Sequence, residues 1–119
     1  MSAFTASAVT FQNVPELSLV AVIFAENGDG SGARLEVQRN LNPDETDKLL
    51  GLDTYSLTLG RANHYGGVAS WAVTDNAVTF HLDAGAAQAL AVGAQYTIAL
   101  TAEHKGMVER GLARVIDDA

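Results

Sequence analysis

Few residue types in this chain can do chemistry, and their spacing does not suggest catalysis. There is no cysteine, so a thiolate nucleophile, a disulfide and a thiolate metal site are all excluded. The histidines are His64, His81 and His104. No two are one helical turn apart, as a pair of metal ligands would be. His81 alternates with Phe80 and Leu82, which turns it away from a core formed by those two. The chain has no Gly-x-Ser-x-Gly elbow, no phosphate loop and no dinucleotide fingerprint. The segment Gly28 to Gly32 is glycine-rich but holds no lysine, and no helix pattern follows it, so it reads as a hairpin loop. Asn27 to Glu36 has some alternation of oxygen ligands, as in a calcium loop. A strand pattern begins at Arg34, before Glu36 could turn back to close such a site. These residues lead us to expect no enzyme, no metal and no cofactor.

Recognition suits the remaining polar groups better. Glu26 and Asp29 flank the glycine-rich loop, and Asp44, Glu45 and Asp47 lie on a short helical pattern. Asn63-His64-Tyr65-Gly66-Gly67 is the most distinctive local stretch. Two glycines after an aromatic imply a tight turn or a close backbone approach. The stretch reads either as a structural turn into the next strand or as a recognition loop presenting Asn63, His64 and Tyr65.

These groups sit in a chain of 119 residues with a net charge of −7. That length fits one domain over residues 1–119. A pI near 4.6 argues against nucleic acid, because phosphate contacts need clustered Lys and Arg. No Lys or Arg occurs from Met1 to Ala33 or from Ala62 to His104. The acidic balance reads either as solubility or as complementarity to a partner with a basic face. The longest apolar run, Leu19 to Ala25, is too short to span a bilayer. The first residues also lack the charged start of a secretory signal. We expect a soluble cytoplasmic protein with no membrane partner.

Hydropathy patterning divides the chain into strands and short helices. Strands are expected over Ala3–Phe11, Leu17–Ala25, Arg34–Arg39, Thr54–Leu59, Val68–Thr74, Ala77–Leu82 and Gln95–Leu100. Asn42 is placed as the N-cap of a short helix with Pro43 at its first position, ending at Gly51. Asp83 caps a second helix over Ala84–Leu90, ended by Gly93. Met107, Val108, Leu112, Val115 and Ile116 mark an amphipathic C-terminal helix. The fold class is α+β, a mostly antiparallel curved sheet or sandwich with two short helices and a C-terminal one.

The order of these features resembles immunity protein family 10, small proteins of bacterial polymorphic toxin systems. The resemblance runs from about Phe4 to Ile116. It rests on Leu35 to Arg39, Leu50-Gly-Leu-Asp-x-Tyr55 and Tyr65-Gly-Gly67. It implies a dedicated inhibitor that binds a cognate toxin, with no catalysis and no cofactor. The motif positions carried over are Gln38, Arg39, Gly51, Asp53, Tyr55, Tyr65, Gly66 and Gly67. Most are expected to hold the fold, with Arg39 and Asp53 as a candidate ion pair. The competing reading is a small-ligand domain with an apolar pocket near Trp71, Tyr55 and Tyr96. Self-association through a strand edge is left open.

Overall fold

Alternating apolar residues build two sheets whose inner faces meet. The computed structural model describes residues 2–118. In chain order the elements are β1 (Phe4–Thr5), β2 (Ala8–Val14), β3 (Leu19–Ala25), β4 (Arg34–Asn40), α1 (Glu45–Leu49), β5 (Ser56–Leu59), β6 (Ala62–Tyr65), β7 (Val68–Val73), β8 (Ala77–Leu82), α2 (Ala84–Leu90), β9 (Gln95–Ala99) and α3 (Lys105–Leu112). One sheet has the order β1-β9-β8-β7 and the other β2-β3-β4-β5-β6. The β1–β9 pair is parallel and the other pairs are antiparallel.

The register assigns each side chain to a face. Val9, Phe24, Leu35 and Leu59 lie in one row across the five-stranded sheet, and Phe11, Val22, Val37, Leu57 and His64 lie in the next. From the opposite sheet come Phe4, Val78, Phe80, Leu82 and Ile98, all buried. Phe24 meets Phe80 edge-on across the interface, with ring centroids 6.1 Å apart, an arrangement that aromatic quadrupoles favour. Removing either ring is expected to cost about 3–5 kcal/mol.

Helix α3 contacts β2 and β3 of one sheet and β7 of the other. It buries Val108 and Leu112 and continues as a π-helical turn over Ala113–Asp117, which buries Val115. Gly111 explains how close the helix comes: a Cβ there would lie 2.5 Å from Val22 Cγ2. The glycine weakens the helix intrinsically, yet it permits this contact.

Several elements differ from the sequence expectation. The first strand is split, with Phe4–Thr5 in one sheet and Ala8–Val14 in the other. The second apolar strand begins at Leu19, because Pro15–Leu17 forms a 3-10 turn ended by Ser18 at φ 49°. The N-cap of α1 is Asp44, not Asn42, and Asp44 forms a reciprocal capping box with Asp47. Helix α2 ends at Ala91, which adopts φ 57°, rather than at Gly93. Asn63, His64 and Tyr65 belong to strand β6, and only Gly66 and Gly67 form the turn. The four residues of that strand, Ala-Asn-His-Tyr, show no apolar alternation that would mark it in the sequence.

Candidate functional site

On the outer face of the five-stranded sheet Thr10, Gln12, Asn63 and Tyr65 are exposed, while α1 borders one end of it, near the buried Ala21 and Ser56. That face carries Thr10 and Gln12 of β2, Ile23 of β3, Glu36 and Gln38 of β4, and Thr58 of β5. Asn63 and Tyr65 of β6 complete it. The shallow surface depressions lie on this face, including a cleft of about 130 Å³ lined by Gln38, Asn40, Asp47, Thr54, Ser56 and Tyr65 among others. It is the candidate site.

The face has two acidic ends, separated by about 20 Å along the strands at ~3.3 Å per residue. At the first, the β3–β4 loop carries Glu26 and Asp29, and both carboxylates are used within the loop. Glu26 Oε1 accepts from the Ala33 amide at 2.9 Å. Asp29 accepts from the Ser31 amide at 2.9 Å and the Ser31 hydroxyl at 2.7 Å. Those two donors hold the Asp29 carboxyl below its ordinary value of 3.8. Arg34 pairs with Glu36 beside them.

At the other end stands α1. Asp44 Oδ1 accepts from the Asp47 amide at 2.8 Å, and Asp47 Oδ2 accepts from the Asp44 amide at 3.2 Å. Glu45 and Asp53 are exposed and make no side-chain hydrogen bond or ion pair among the described residues. The exposed large apolar side chains also gather here. They are Leu17 at 69%, Leu49 at 86%, Leu50 at 66% and Tyr65 at 41%. Nothing in the sequence marks these three leucines as exposed; the structure shows that α1, which ends at Leu49, has no buried position.

The family-motif residues divide differently. Gln38 is half-buried and lines the cleft. Arg39 faces inward and does not pair with Asp53. Its guanidinium donates to the Val115 carbonyl at 3.1 Å and the Arg114 carbonyl at 2.6 Å. It thereby satisfies backbone acceptors at the end of the C-terminal helix, where a cation is favoured. Burial and the charge of Arg114 lower its pKa below the ordinary arginine value. Gly51 takes φ +73° directly after α1, in open space.

Tyr55, Gly66 and Gly67 make the crossing between the two sheets. The buried Tyr55 hydroxyl accepts from the Val68 amide at 2.8 Å, and burial raises its pKa above 10.0. The Gly66 amide donates to the Tyr55 carbonyl, and the Asp83 amide donates to the Gly67 carbonyl, both at 2.8 Å. Gly67 sits at φ +95°, and a Cβ there would lie 2.5 Å from Ala86 Cβ. No other residue fits this position without movement of α2. His64 Nδ1 donates to the Gly66 carbonyl at 3.2 Å and lies half-buried on the inner row of the sheet. Asn63 points outward and accepts from the Thr58 hydroxyl at 2.8 Å.

The apolar pocket of the competing small-ligand reading is met only at Tyr96. A small apolar void of about 10 Å³ is lined by Phe80, Tyr96 and five leucines but by neither Tyr55 nor Trp71. A void of that size holds one water at most. Trp71 instead donates from Nε1 to Asp117 at 3.0 Å. Among the described residues, no three His, Asp or Glu side chains gather in a set able to hold a metal ion. No helix of the described residues is long and apolar enough to cross a membrane.

Comparison with known proteins adds one decisive match. No curated protein and no solved structure matches the chain significantly. A family model described as immunity protein 10 matches residues 5–108. That span takes in the sheet crossing at Gly66 and Gly67, both acidic ends of the open face, and α3 as far as Val108. The chain belongs to the immunity protein 10 family.

Proposed function

We propose that this protein is a bacterial immunity protein of a polymorphic toxin system, which binds a cognate toxin stoichiometrically and blocks it. The family match over residues 5–108 carries this reading. The open sheet face supports it, since a stable interface needs about 800 Å² from each partner. We read the chain as a single cytoplasmic domain with a net charge of −7, which speeds encounter with a basic toxin surface. Inhibition needs no catalytic group and no cofactor. It requires only that the complex cover or distort the toxin's working surface.

The test is co-expression with the toxin domains encoded beside this gene. We expect rescue of growth by one of them and a 1:1 complex on purification. If every neighbouring toxin domain gives neither rescue nor complex, the reading is wrong.

A further inference from the structure

We infer that the α1 end of the open sheet face is the toxin-docking surface, and that it takes a cationic protein surface centred on one apolar side chain. This rests on the immunity reading above. Its first support is where the exposed apolar side chains lie. Leu17, Leu49, Leu50 and Tyr65 all belong to the end of the five-stranded sheet where β3 begins, β4 ends and β6 ends. Leu17 ends the 3-10 turn before β3, and Leu49 and Leu50 close α1. Tyr65 is the last residue of β6 and lines the cleft. Single exposed leucines are ordinary, but a group of them rimmed by polar residues marks an interaction site.

The second support is the cleft itself. At about 130 Å³ it has room for one side chain. Asp47 lines it from α1 and Tyr65 from β6, and Leu50 lies three residues beyond Asp47, on the same side of the helix. A rigid tyrosine beside a cleft that takes an anchor is the arrangement typical of binding hot spots.

Charge decides the occupant. Glu16, Asp44, Glu45, Asp47 and Asp53 surround this end, against Lys48 and the inward-turned guanidinium of Arg39. A second copy of the same patch would bring these carboxylates against their equivalents, which disfavours a symmetric dimer here. A toxin surface with Lys or Arg around an aliphatic or aromatic knob satisfies both the rim and the centre.

The experiment measures affinity for the toxin domain that the wild-type chain captures in co-expression. Tyr65→Ala and Leu50→Ser are each expected to weaken binding at least tenfold, and Glu45→Lys to slow association at low salt. Glu26→Gln and Asp29→Asn, at the opposite end, are expected to stay within threefold of wild type. Thermal melting of each variant separates lost contact from lost fold, and amide-exchange mapping on the wild-type complex locates the footprint without mutation. The inference is overturned if wild type binds and rescues while the α1-end variants bind equally well, or if protection falls on the β3–β4 loop instead. A concentration-dependent homodimer abolished by Tyr65→Ala would also overturn it, assigning the patch to self-association. Failure of the wild-type chain to bind any neighbouring toxin domain counts against the immunity reading itself, and the docking assignment falls with it.

Discussion

The two acidic ends of the five-stranded sheet look equivalent in the sequence and differ in the structure. At the β3–β4 loop, Glu26 and Asp29 accept hydrogen bonds from the loop's own amides and hydroxyl. Arg34 and Arg61 offset the acidic charge there. At the α1 end, Asp44 and Asp47 hold one another's amides, while Glu45 and Asp53 stand exposed beside uncovered leucines. A carboxylate occupied in holding its own loop offers little to a partner. The comparison shows that carboxylate density alone does not locate an interface; apolar exposure beside it does.

Disrupting α1 should have the largest effect. Asp44→Ala removes the N-cap, worth about 1 kcal/mol, from a helix of five residues, which is too short to persist on its own. Helical signals from residues 45–49 should vanish in NMR and toxin affinity should fall about tenfold, with the global melting temperature nearly unchanged. An intact α1 in that variant would show that tertiary contacts, not the cap, hold the helix.

Reversing charge sharpens the same contrast kinetically. The double variant Glu45→Lys, Asp53→Lys should lower the association rate about tenfold at low ionic strength, and the difference should fade near 1 M salt. The dissociation rate should change little. An equal loss from Asp29→Lys would mean that steering depends on net charge and not on the α1 end.

The β3–β4 loop should answer to stability instead. Glu26→Ala leaves the Ala33 amide without its partner and should cost about 1 kcal/mol in chemical denaturation, with toxin affinity unchanged. A variant of wild-type stability and weakened affinity would reverse the assignment of the two ends.

Asp29 gives the smallest and most local effect. Its folded pKa lies below its ordinary value of 3.8, so the carboxylate form favours the folded loop. That contribution is fully present above 3.8 and is lost as the pH falls through the lowered folded value. The protection factor of the Ser31 amide should fall over that acid range. A Ser31 titration midpoint at or above 3.8 would contradict the hydrogen bonds at Asp29.

Much of the fold was legible because apolar alternation reports directly on burial. Val78, Phe80 and Leu82 were placed on one face, and all three are buried. Leu57 faces the core, as the pattern Tyr55-Leu57-Leu59 required. Strand β6 was not legible, since an edge strand of Ala-Asn-His-Tyr pairs through its backbone and carries little pattern. The site was partly legible. Asp44, Glu45, Asp47 and Tyr65 were singled out and converge at one end, but Glu26 and Asp29 go to the other. Leu17, Leu49 and Leu50 were missed because an exposed leucine and a buried one are identical in sequence.

The sequence alone determined the α+β class, most of the strands, the acidic charge and the family. Those properties depend on local spacing, composition and motif order. Tertiary structure alone decided that Arg39 holds the end of the C-terminal helix rather than Asp53. It also decided that Gly67 is pressed against Ala86 and that two similar carboxylate clusters stand at opposite ends of one sheet. Each of these depends on strand order and register, which bring together residues up to 76 positions apart. Side-chain burial is set by those long-range pairings, so the bare leucines beside α1 became visible only once the sheet was assembled.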